Sequence, residues 1–245
     1  MRNVSAKFFL TTACLLLSIF FTHSLQAKEA VDVELVLLSD ASNSIDNAEI
    51  KFQRQGYATA MTHPDVIAAI RKGDLGKIAV TFIEWGDDNN QETVVPWMVV
   101  KDNASAETFA KALFARERLA YGSNAIGAAL AAAHRQIDQN KYEGHRKVID
   151  LSGDSANNWN GIPIAEARGK ALKAGIIING LAILCRSENC GGRPVNYNLE
   201  QAFAQRIIGG PGSFVVTVDS PARFAQAVRS KLILELASLP ANLRP

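Results

Sequence analysis

The stretch Asp40-Ala41-Ser42-Asn43-Ser44 sets one carboxylate and two hydroxyls at alternating positions, directly after the apolar run Glu34-Leu35-Val36-Leu37-Leu38-Ser39. In a tight loop this spacing turns three oxygen-bearing side chains toward one point. Such oxygens suit a hard divalent cation, which prefers oxygen ligands and keeps part of its water. The competing use of Ser42 or Ser44 is as an N-cap for the next helix. Two later segments bring further donors: the polar turn Gly122-Ser123-Asn124 before a helical pattern, and the apolar run Val148-Ile149-Asp150-Leu151 leading through Ser152-Gly153 to Asp154.

The elements that must position these groups read as alternating strands and helices. Continuous apolar runs at 34–39, 77–83, 147–151, 176–183 and 214–218 are the pattern of strands buried on both faces of a parallel sheet. The run 94–100 contains Pro96 and reads as an edge strand. Helical patterns cover 47–62, 64–72, 104–114, 125–139, 162–174, 199–207 and 221–236. The fold class is therefore α/β: a doubly wound, mostly parallel central sheet flanked by helices, with one antiparallel edge strand. Ligands of such sheets bind at the carboxyl ends of the strands, near the topological switch point. The loops after Ser39 and Leu151 are the ones that carry Asp40 and Asp154.

Asp-x-Ser-x-Ser after one strand, a polar turn before a helix, and an acid after a later strand together resemble the metal-ion-dependent adhesion site of von Willebrand factor type A domains. The resemblance spans about Val31 to Leu236. The stretches Phe82-Ile83-Glu84-Trp85, Val94-Val95-Pro96-Trp97 and Asp150-Leu151-Ser152-Gly153-Asp154 are similar to an exported bacterial branch of unknown function. The resemblance implies Ser42 and Ser44 as direct hydroxyl ligands, with Asp40 and Asp154 acting directly or through water. It implies a divalent cation (Mg²⁺, Mn²⁺ or Ca²⁺) and a protein partner that offers an acidic side chain. Asn124 stands where the family has a Thr. An amide oxygen can ligate a hard cation but is bulkier, and Ser123 is the alternative donor. This departure shifts the expected site toward weaker binding or toward Ca²⁺.

Nothing else in the chain demands an enzyme. An aspartyl-phosphate hydrolase, the alternative reading, would place its nucleophile at Asp40 but needs a second acid where Ser42 stands. Serine-hydrolase elbows, phosphate loops and dinucleotide turns are absent from the sequence. His63, His134 and His145 show no shared ligand spacing and read as solvated or structural. Trp159, in the polar loop after Asp154, is either a recognition rim or an anchor against the next helix. Gly86-Asp87-Asp88-Asn89-Asn90 reads as a turn, with a second cation site as the alternative.

Arg2 and Lys7, an apolar run through Phe21 and small Ala27 follow the order of a secretory signal peptide. The apolar run is too short for a membrane span. Residues 1–27 are thus expected to be a signal peptide, and 28–245 a single domain without a membrane span, exported to a periplasmic or secreted location. Removing Arg2 and Lys7 takes the 26 basic residues to 24, matching the 24 acidic ones. No basic stripe remains for nucleic acid. In an oxidising compartment Cys185 and Cys190 are expected to form a disulfide; half of a zinc site is the alternative.

Overall fold

A computed structural model describes residues 27–184 and 196–237. Residues 1–26 of the expected leader, and the expected Cys185–Cys190 disulfide, lie outside the described residues. In chain order the elements are β1 (Glu29–Asp40), α1 (Asn47–Met61), α2 (Pro64–Arg71), β2 (Ile78–Trp85), β3 (Gln91–Val100), α3 (Asn103–Ala112), α4 (Ile126–Gln139), β4 (Tyr142–Gly153), α5 (Ile164–Lys173), β5 (Ile177–Ile183), α6 (Leu199–Arg206), β6 (Val215–Val218) and α7 (Pro221–Leu236). The sheet order is β3-β2-β1-β4-β5-β6. All neighbours are parallel except β2 and β3, so Pro96 does sit on an antiparallel edge strand.

Alternate residues of β1 supply two separate cores. Val33, Leu35 and Leu37 face a layer that includes Tyr57, Ile67, Phe109, Phe224 and Leu232, from α1, α2, α3 and α7. Val36 and Leu38 face Ile126, Leu130, Ala167, Ala171 and Phe203, from α4, α5 and α6. Burial on both faces explains why the strand is apolar without alternation. β1 and β4 begin earlier than their apolar runs, with Glu29 opposite Tyr142. The first half of β4 is largely polar and partly exposed, so ladder pairing rather than burial defines it.

Side-chain caps set the starts of α1, α2, α3 and α6. Asp46 accepts from the Ala48 and Glu49 amides, and Glu49 closes a capping box on the Asp46 amide. The cap of α1 is therefore Asp46, which leaves Ser42 and Ser44 free for other partners. His63 caps α2 through Nδ1, ahead of Pro64 at the first helical position.

Candidate metal centre

The site lies where the winding of the sheet reverses. From β1 the chain builds outward to β2 on one side and returns as β4 on the other, and Ser39 stands opposite Ser152. Parallel pairing in this register delivers Asp40 and Asp154 to the same sheet end. The Ser44 hydroxyl donates to Asp154 Oδ1 at 3.2 Å, across 110 positions of sequence. Ser42 and Ser44 hydroxyls are 3.1 Å apart, and the Ser42 amide donates to Asp40 Oδ1 at 2.8 Å. Asp40 Oδ2 is buried without a hydrogen-bond partner. A Cβ at Gly153 would lie 3.1 Å from that oxygen, so the glycine leaves room beside the carboxylate.

The third loop is fastened to the first. The Asn43 amide donates to Gly122 O at 2.9 Å, and Asn43 Oδ1 accepts from the Gly122 amide at 3.0 Å. Gly122 has φ +111°, and a side chain there would also strike Asp87. Asn124 is buried, its carbonyl accepts from the Trp159 amide at 2.8 Å, and its side-chain Oδ1 has no hydrogen-bond partner. Ser123 is exposed. Asp40, Ser42, Ser44 and Asp154 are thus joined by hydrogen bonds directly or in sequence. Asn124 sits in the loop bound to theirs but shares no hydrogen bond with them.

Burial first, then the neighbouring charge of Asp154, pushes the Asp40 carboxyl up to about 7. Asp154 is also raised, chiefly by burial and against the lowering effect of Ser44. Two desolvated acids facing each other, with an orphaned Asp40 oxygen, form a centre short of positive charge. This hard-oxygen donor set fits a divalent cation.

Several supporting side chains are not readable from sequence. Arg118 donates to the carbonyls of Ala41 at 2.6 Å, Ser42 at 3.1 Å and Ile45 at 2.7 Å, clamping the first loop from the segment before the third. Gln53 accepts from Ser39 Oγ at 2.6 Å and donates to Asp40 O at 3.1 Å. Arg54 holds buried Glu84 in a two-pronged ion pair of 2.7 and 2.9 Å. Their only sequence signal is their residue type, because the partners are mostly distant backbone carbonyls. The Asp87–Asn90 turn acts as a brace: Asn90 Oδ1 accepts from the Tyr121 amide, and Asp87 accepts from Asn160. Trp159 is 71% exposed, which rules out the anchor reading.

Comparison with known proteins agrees with this architecture. A von Willebrand factor type A structure from Catenulispora acidiphila is similar at 19% identity and TM-score 0.55, over 83% of this chain and 42% of that one. Proximal thread matrix protein 1 from the mussel byssus, with a zinc-occupied MIDAS motif, aligns at 16% identity and TM-score 0.56, over 86% and 49%. An aerotolerance-related membrane protein from Bacteroides fragilis aligns at 19% and 0.52, over 82% and 98%. The chain thus spans less than half of the first two relatives but nearly all of the third. The fold is that of von Willebrand factor type A domains. Within that class the chain belongs to the family described as protein of unknown function DUF1194, whose model matches residues 30–240. No curated protein sequence matches the chain. Among the described residues no helix is long and apolar enough to cross a membrane.

Proposed function

We propose that the chain is an exported, non-enzymatic binding module. It holds Mg²⁺, Mn²⁺ or Ca²⁺ with Ser42 and Ser44 as direct hydroxyl ligands, Asp40 and Asp154 acting directly or through water, and Asn124 completing the set. The observation that carries this reading is the meeting of Ser42, Ser44 and Asp154 in one hydrogen-bonded group beside the orphaned Asp40 oxygen. When bound, the cation supplies an open coordination position that a carboxylate from a partner protein can take. The zinc-occupied MIDAS of the mussel protein supports a divalent cation at this place in the fold. Cleavage near Ala27 would release one domain, 28–245, to the periplasm or medium.

The surroundings suit recognition. Trp159 is exposed in a loop bonded to Asn124, Tyr121 is exposed directly before Gly122, and Leu119 is exposed close by in sequence. The Arg118 guanidinium lies 4.3 Å from the Tyr121 ring centroid and fixes it. An acidic side chain flanked by apolar residues fits a cation with such a rim. The test is calorimetric titration with the three cations. Asp40→Ala should abolish binding and Ser44→Ala should weaken it, whereas undiminished binding by Asp40→Ala refutes the assignment. A partner captured by the wild-type chain should be released by EDTA and not retained by Asp40→Ala. Phosphatase turnover that needs both Mg²⁺ and Asp40 would favour the hydrolase instead.

A further inference from the structure

At the opposite end of the sheet, three potential metal ligands from distant parts of the chain come together. Asp32 lies near the start of β1, His145 near the start of β4, and Asp74 in the connection between α2 and β2. His145 Nδ1 is 3.9 Å from Asp32 Oδ1 and 4.0 Å from Asp74 Oδ2, and one ligand atom from each residue lies within 4.8 Å of the other two. Asp32 is rigidly placed: it is buried, Oδ1 accepts from the Leu75 amide at 2.9 Å, and Oδ2 accepts from the Lys77 amide at 3.2 Å. Asp74 and His145 are exposed, with side-chain exposures of 65% and 54%. Among the described residues no Lys or Arg forms an ion pair with either aspartate. Lys77 reaches Glu29 instead, and Arg146, whose charge Asp32 favours without an ion pair between them, donates a guanidinium nitrogen to Glu235 O.

We propose that Asp32, Asp74 and His145 form a second cation site, selective for a Zn²⁺-class ion and independent of Asp40 and Asp154. One imidazole nitrogen and two carboxylate oxygens make a mixed ligand set that suits zinc better than magnesium, with water completing the coordination. Ligands at tetrahedral zinc lie about 3.3 Å apart, given bonds of roughly 2.0 Å. The two His145 separations therefore need to close by about 0.6 Å and the Asp32–Asp74 separation, within 4.8 Å, by up to about 1.5 Å, movements that rotation of the two exposed side chains provides. Asp32 stays in place as the fixed corner. The ion bolts the α2–β2 connection to the starts of β1 and β4, so its effect is stabilisation of the fold rather than partner capture.

The test uses zinc in competition with a chromogenic chelator, on the purified chain carrying Asp40→Ala so that the first site is disabled. One zinc should still bind, and adding His145→Ala or Asp74→Ala should weaken that binding at least about 100-fold, since loss of a direct ligand exceeds the effect of losing an outer partner. His134→Ala should leave it unchanged. Zinc should raise the melting temperature of the Asp40→Ala chain and not that of the Asp40→Ala/His145→Ala chain. Far-UV circular dichroism confirms that these surface variants fold. No zinc binding by the Asp40→Ala chain, or zinc binding that survives both His145→Ala and Asp74→Ala, overturns the second site while leaving the Asp40 centre untouched.

Discussion

Asp40→Asn tests whether the acid is kept for a cation or for the fold. The Asp40 carboxyl, ordinarily near 3.8, is pushed up to about 7 by burial and by Asp154. The folded chain therefore keeps a proton that the unfolded chain releases. The penalty is absent below about pH 3.8, grows as pH rises, and is complete above about 7. At about 1.4 kcal/mol per pH unit, the interval from 3.8 to about 7 corresponds to about 4 kcal/mol. Asparagine retains an oxygen for the Ser42 amide and removes the charge. Urea denaturation in EDTA should find Asp40→Asn more stable than wild type by up to about 4 kcal/mol at pH 8, and within about 1 kcal/mol of it at pH 4. Excess Mg²⁺ or Mn²⁺ should stabilise the wild type and leave the variant unmoved. A variant less stable than wild type by the same amount at both pH values would show that Asp40 is a structural acceptor and not an acid held for a cation.

Three other outcomes follow from the same geometry. Arg118→Ala removes the clamp on the Ala41, Ser42 and Ile45 carbonyls; titration should show cation affinity down roughly tenfold with a stability loss of about 1–3 kcal/mol, and Arg118→Lys should not restore it because lysine lacks the planar fork. Trp159→Ala should leave cation affinity unchanged while weakening partner capture by about 2 kcal/mol in a binding assay; equal loss of both would place Trp159 in the cation site. Lys231 is buried between Asp150, at 2.6 Å, and Glu235, so one positive charge faces two acids. Burial and then Asp150 push Glu235 up to about 7 from 4.5. Stability in EDTA should therefore fall as pH rises from about 4.5 to 7, and Glu235→Gln should make that fall shallower, leaving the part due to Asp40 and the Lys231–Asp150 pair; an unchanged pH profile counts against it.

The doubly wound sheet was legible because its strands are buried on both faces: Leu35 to Leu38, and Val148, Ile149 and Leu151, carry apolar side chains toward two layers at once. Asp40 and Asp154 were legible because each comes directly at the end of such an apolar strand: Asp40 closes β1 and Asp154 follows β4. The β1–β4 register then explains their approach, with Ser39 opposite Ser152. What sequence could not supply were contacts without a local pattern. Arg118 reads three backbone carbonyls of a loop more than 70 positions away, and carbonyls look alike in every residue. The polar half of β4 was missed because ladder pairing with Glu29 to Val33 leaves no periodic trace. His145 carried no ligand spacing, since its neighbours Asp32 and Asp74 arrive through the sheet and the α2–β2 connection.

Anomalous diffraction from a crystal of the chain soaked in Mn²⁺ locates any cation held at the Asp40 centre. A manganese peak is expected within about 2.5 Å of both the Ser42 and Ser44 hydroxyl oxygens, between Asp40 and Asp154. A well-ordered crystal in which saturating Mn²⁺ leaves that position without an anomalous peak would contradict it.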